Sequence, residues 1–232
     1  RWTKQIGSTR PLKGFSLPMI LSNLLLELEW MLDEKEINRT LDLCVHEVMD
    51  VFYRPELGLV VECLTSDNKL SDTFEGRILN PGHAIETSWF MMTEALHRGD
   101  EGVMKKALDI LIWSLERGWD KEHGGLLYFV DIEGKPTEQL EWDMKLWWPH
   151  TEALYALLLA YSITGDERYA DWYERVHDWS FGHFPDPQYG EWFGYLHRDG
   201  SMALRLKGSM WKGPFHLPRA LLYGLKVLGE LK

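Results

Sequence analysis

The most constraining feature of the 232-residue chain is a pattern that recurs where its apolar runs begin. NPGHAIE at 80–86, WWPHTE at 147–152 and KGPFHLPR at 212–219 each set a proline and a histidine at the start of a hydrophobic stretch. The histidines His83, His150 and His216 are 67 and 66 residues apart. A period of this size points to stacked supersecondary units rather than one irregular core. A further 66 residues upstream lies Leu17, with Pro18 beside it and no histidine, so the first unit shares the architecture and not the chemistry.

Between these marks the hydrophobic spacing is helical. Seven helices are predicted: 18–32 with Ser16 as cap, 35–53 with Asp33 as cap, 83–99, 101–118, 150–165, 166–184 and 217–230. Gly99, Gly118 and Gly165 stand where left-handed C-terminal caps are expected. Strand-like runs at 57–64, 124–135 and 191–206 read as hairpins between helix pairs. Helix pairs with small hairpins at a fixed interval imply an all-α fold of the alpha/alpha toroid type, in one domain spanning 1–232. In such a ring the inner helices open at one end, so the three histidines are expected to converge on one mouth. A helix N-terminus carries partial positive charge and disfavours imidazolium, which leaves these histidines neutral and able to act as bases.

The balance of charge excludes one class of partner. A net charge of -11 gives no basic footprint for nucleic acid. There is no apolar run of 18 residues for a membrane span and no secretory leader is read. Cys44 in a helical pattern and Cys63 in a strand-like one suggest a reduced, cytoplasmic protein. The 12 tryptophans need either an aromatic core or an aromatic-walled pocket, and sugars stack on indoles.

His83 and Glu86 are spaced to share a helix face, as are His216 and Arg219, whereas His150 and Glu152 share one only if a helix starts between them. Trp147 and Trp148 divide between core packing and a stacking wall, while Trp142, Trp192 and Tyr195 read as hairpin packing. No HExxH, no zinc spacing of cysteines, no phosphate loop and no GxSxG nucleophile elbow is present, so metal, nucleotide and nucleophilic-serine chemistry find no motif.

The segments NPGHAIETSWF, GWDKEHGGLLYFVD, QLEWDMKLWWPHTEAL, FPDPQYGEWFGYLHRDG and FHLPR resemble the N-acylglucosamine 2-epimerase family in order and spacing over nearly the whole chain. The resemblance implies the C-terminal seven helices of an (α/α)6 barrel, beginning here at Arg1 without the first five. It implies interconversion of N-acetylglucosamine and N-acetylmannosamine by removal and return of the C2 proton. His83 and His216 match the family's acid/base pair. Glu152, His150, Trp147 and Trp148 match its substrate pocket, and Glu86 and Arg219 match positions that orient the histidines or substrate. No metal or redox cofactor is implied; a nucleotide (ATP) effector and a homodimer are. Ile20 departs from bacterial relatives that carry a histidine near this point. The same resemblance leaves open a cellobiose 2-epimerase, an aldose–ketose isomerase, or a non-catalytic renin-binding interaction protein. A ring opened in this way is expected to be inactive by itself.

Overall fold

The computed structural model describes residues 11–230. The ends of the expected domain, residues 1–10 and 231–232, lie outside the described residues. The helices are α1 (Ser16–Glu27), α2 (Glu34–His46), α3 (Phe74–Arg77), α4 (Pro81–Arg98), α5 (Glu101–Gly118), α6 (Trp147–Thr164), α7 (Glu167–His183) and α8 (His216–Glu230). The seven expected helices are therefore present, with α3 as a short addition. The second differs in kind at its end, because Glu47–Phe52 winds as a π-helix directly after α2.

The chain forms two compact units, one of residues up to Leu79 with Asp131–Glu138, the other of Asn80–Val130 with Gln139 onward. In the first, α1 packs on α2 and on the π-helical turn. Asp33 caps α2, accepting from the N–H groups of Lys35 and Glu36. Ser16 does not cap α1: the fully buried Phe15 holds the cap position without a side-chain bond, and Ser16 lies inside the helix. The run 57–64 is split between two antiparallel pairs, Leu59–Val60 with Tyr53–Arg54 and Cys63–Thr65 with Leu12–Gly14. Its sequence therefore serves two ladders rather than one hairpin.

In the second unit α4, α6 and α8 lie side by side, while α5 packs on α4 and α7 on α6. This is the inner and outer arrangement of an α/α fold. Helix α6 is covered by three helices at once, and its buried residues include Ala153, Leu154 and every position from Ala156 to Ala160. A helix apolar all round belongs in such a place. Asn80 caps α4 by accepting from the His83 N–H, and Pro81 sits in the first turn. Gly99 and Gly165 are left-handed C-caps, as expected. Gly118 is not, since α5 runs through it to a cap at Trp119. It is small for another reason: a Cβ there would come within 2.6 Å of Pro81.

The hairpin loops of this unit carry the true period. Asp120 N–H donates to Gly125 O and Gly124 N–H to Asp120 O; 66 residues later Asp186 N–H donates to Glu191 O and Gly190 N–H to Asp186 O. The expected hairpin at 191–206 closes through an antiparallel bridge between Leu196 and Met202, with His197 N–H donating to Ser201 O, and its strand Tyr195–Leu196 also pairs antiparallel with Lys145–Leu146, the lead-in to α6. Among the described residues no helix is long and apolar enough to cross a membrane.

Candidate active site

A cavity of about 610 Å3 opens at the beginnings of α4, α6 and α8, lined among others by His83, Tyr128, Trp147, Trp148, Tyr195 and His216. The volume is in the range that small-molecule sites occupy. His83 and His216 both pack on the Trp148 indole, at ring-centroid distances of 5.4 and 5.5 Å and interplanar angles of 39° and 35°. Trp148 can sit this close to the first turn of α4 because residue 82 is glycine, where a Cβ would meet the indole at 2.5 Å. Trp147 adds an edge contact to Tyr195 and another to His216. Tyr195, expected as hairpin packing, is thus part of the cavity wall, and Glu141, Met144, Leu204 and Trp211 also line it without having drawn attention in the sequence. Their signal was weak because they lie in irregular segments with no periodicity to read.

Behind His216 lies a buried polar cluster. His216 Nδ1 is 2.7 Å from Glu152 Oε1, and Arg219 Nη2 donates to Glu152 Oε1 and to Glu86 Oε1, each at 2.7 Å. Trp89 Nε1 donates to the other Glu152 oxygen at 2.7 Å. Burial works against the charge on Glu152, but the His216 hydrogen bond and the Arg219 guanidinium outweigh it and hold its pKa below the ordinary value. Glu86 goes the other way: burial and the neighbouring Glu152 charge push it up, against the pull of Arg219. Burial opposes the charge on Arg219 as well, yet the two carboxylates raise its pKa. With Nδ1 committed to Glu152, Nε2 is the His216 nitrogen left for a ligand. Glu152 accordingly stands behind His216 and bonds it directly, while Arg219 joins Glu152 to Glu86; all three lie off the cavity wall rather than on it.

One ligand atom from each of Glu86, Glu152 and His216 falls within 4.8 Å of the others, a spacing a metal ion could use. The Arg219 nitrogen already bridges both carboxylates there, so the guanidinium is the cation of this cluster.

His150 is the correction. It was expected on the substrate, but its side chain is wholly buried: Nε2 accepts the Leu126 N–H at 2.9 Å and Nδ1–H donates to Leu146 O at 2.6 Å. Burial pulls its pKa down to about 3, with the Leu146 bond opposing. It is a neutral pin between the 119–126 hairpin and the first turn of α6. The physical reason is helical phase. Helix α6 begins at Trp147, ahead of both His150 and Glu152, and α4 begins at Pro81. Glu86 and Glu152 are then each the sixth residue of their helices, while His83 is the third and His150 the fourth. One residue is about 100° of rotation, enough to move a side chain to another face. Counting from the carboxylates, the equivalent positions are Glu86, Glu152 and Arg219, and His83, Pro149 and His216.

The α/α layering is shared with solved structures. A crystal structure titled D-mannose isomerase matches 93% of this chain and 57% of its own with a TM-score of 0.77 at 20% identity. Cellobiose 2-epimerase from Spirochaeta thermophila matches 94% and 53% with a TM-score of 0.77 at 22% identity. These likenesses show the fold, that of α/α proteins named as sugar isomerases and epimerases. The chain belongs to the N-acylglucosamine 2-epimerase (GlcNAc 2-epimerase) family, whose model matches residues 2–217. The N-acylglucosamine 2-epimerase of Rattus norvegicus is 39% identical over 231 residues, covering 98% of this chain and 55% of the relative. The chain thus spans about half the length of that relative.

Proposed function

We propose that the whole protein is a sugar 2-epimerase that interconverts N-acetylglucosamine and N-acetylmannosamine, with His83 and His216 as its acid/base pair. The reading is carried by one observation: two imidazoles line the same cavity against one indole, and one of them is set by a buried carboxylate. Inversion at C2 needs a proton to leave one face of the carbon and another to arrive on the opposite face, which two positioned bases do better than one. In the forward direction one histidine takes the C2 proton of the open-chain aldehyde, the electron pair passes to the C1 carbonyl oxygen as an enolate, and the other histidine returns a proton to C2. Reversal exchanges their roles. Glu152 holds His216 with Nε2 directed to this work. Tyr128 and Tyr195 line the cavity and carry O–H donors suited to the enolate oxygen. Trp148 offers the apolar face on which a sugar stacks. The proton transfers use side chains alone and call for no cofactor, so ATP enters this scheme only as an effector. Cys44 and Cys63 are not joined in a disulfide, which fits the proposed cytoplasmic setting.

The test is incubation of the whole protein with N-acetylglucosamine in heavy water, followed by NMR at C2. N-acetylmannosamine carrying deuterium at C2 is the expected product. Product formed without solvent exchange overturns the two-base scheme, and no turnover of N-acetylglucosamine together with a ketose formed from mannose, which carries a hydroxyl at C2, assigns the site to an isomerase instead.

A further inference from the structure

The buried ion pair beside the cavity is not used by that scheme. Lys145 is fully buried and donates from Nζ to Asp120 Oδ2 at 2.9 Å and to Gly125 O at 3.3 Å. Arg198 grips the same carboxylate with both arms, Nε to Oδ2 at 2.8 Å and Nη2 to Oδ1 at 3.1 Å. The N–H groups of Glu122 and His123 also donate to Asp120 Oδ1. Three segments therefore meet on one carboxylate: the 119–126 hairpin, the lead-in to α6 at Lys145, and the strand end at Arg198.

Each of the latter two segments carries cavity wall. Leu146, Trp147 and Trp148 follow Lys145 directly, and Tyr195 lies three residues before Arg198 in the strand that pairs with Lys145–Leu146. The equivalent loop 66 residues later repeats the device with lysines from the lead-in to α8. Lys207 donates to Gly190 O at 2.7 Å and pairs with Asp186, while Lys212 donates to Glu191 at 2.9 Å. That later copy keeps its Asp186–Lys207 pair partly in solvent, whereas the Asp120–Lys145 pair is dry, with side-chain exposures of 1% and 0%. A dry ion pair contributes little net stability compared with apolar residues of the same shape, so its presence calls for another role.

We propose that Asp120 and Lys145 are positioning residues for the cavity, holding the Leu146–Trp148 wall and Tyr195 in place against His216. They touch no substrate and act through Trp147, whose ring meets both Tyr195 and His216 at its edge. Burial draws the Lys145 pKa down to about 8 against the attraction of Asp120, and at neutral pH the pair stays charged.

This inference rests on the epimerase reading for its kinetic readout and has a second readout that does not. The variant is the double substitution Asp120→Asn with Lys145→Met, which removes both charges together and leaves Arg198 able to turn to solvent. It is expected to fold with an unfolding midpoint close to the wild type. Its kcat for C2 exchange is expected to fall about 10- to 100-fold with KM changed less than about threefold, since small misplacement of a reacting group is felt in turnover. In chains labelled with fluorotryptophan, the fluorine resonances of Trp147 and Trp148 are expected to move while that of Trp30 stays. A folded double variant with wild-type kcat overturns the positioning role, and so do unmoved Trp147 and Trp148 resonances. Absence of C2 exchange in the wild type overturns the epimerase reading alone, and the fluorine resonances then decide this one.

Discussion

Two histidine–tryptophan–histidine groups lie in the same unit and have opposite characters. In one, His83 and His216 tilt against Trp148 and line a cavity. In the other, His150 and His183 stack nearly parallel on Trp179, at 4.8 and 4.3 Å with angles of 18° and 15°, and His150 is sealed from solvent. Composition is the same and the difference is in hydrogen bonding. Both His150 nitrogens are spent on backbone groups, and His183 Nδ1–H donates to Trp179 O at 2.6 Å. His216 has one nitrogen set by a carboxylate and one to spare. Under the proposed mechanism the contrast is sharpest between His216, whose partner leaves a nitrogen for a ligand, and His150, where backbone takes both.

The largest way to break this contrast is to remove the cavity imidazoles. His83→Asn and His216→Asn are each expected to lower turnover by orders of magnitude with the unfolding midpoint unchanged; near-normal rates in both would place the proton transfers elsewhere.

A smaller effect, on stability, belongs to the buried group. His150→Leu leaves the Leu126 N–H and the Leu146 carbonyl without partners and is expected to cost about 2–4 kcal/mol in denaturant unfolding at pH 7. The sign of the pH dependence follows from a pKa held near 3 in the folded state. The unfolded histidine takes up its proton near 6.5, so the stabilisation is complete above about 6.5 and is lost as pH falls toward 3, by about 1.4 kcal/mol per unit. The leucine variant should lose this one-proton slope, and an unchanged slope would assign the acid sensitivity to other groups. The smallest effect is expected from Gly82→Ala, whose methyl presses on Trp148: about 1–3 kcal/mol by thermal unfolding, with a shifted fluorescence of that indole.

Much of the fold was legible because it is periodic. Seven helices, the α/α pairing and the cap at Asp33 follow from spacing and turn chemistry, and the resemblance in NPGH and FHLPR placed His83 and His216, which the structure brings to one cavity. What the sequence could not give is helical phase. His150 sits beside a proline in a stretch that looks like its two counterparts, and a shift of one residue in the start of α6 turns it toward the hairpin. A better signal was present in the carboxylates, since Glu86 and Glu152 keep a spacing of 66 that matches Asp120 and Asp186. Long-range partners were equally hidden: nothing local announces that Arg198 reaches Asp120 across 78 residues.

That last reach changes how the repeats behave as a mechanical series. In arrays whose units touch only through packed faces, one unit can loosen while its neighbour holds. Here the guanidinium of Arg198 ties the segment after one hairpin to the loop of the hairpin before it, through two hydrogen bonds to a single carboxylate. Fraying of either segment is therefore expected to loosen the other, so amide exchange in the two is expected to be lost together rather than loop by loop.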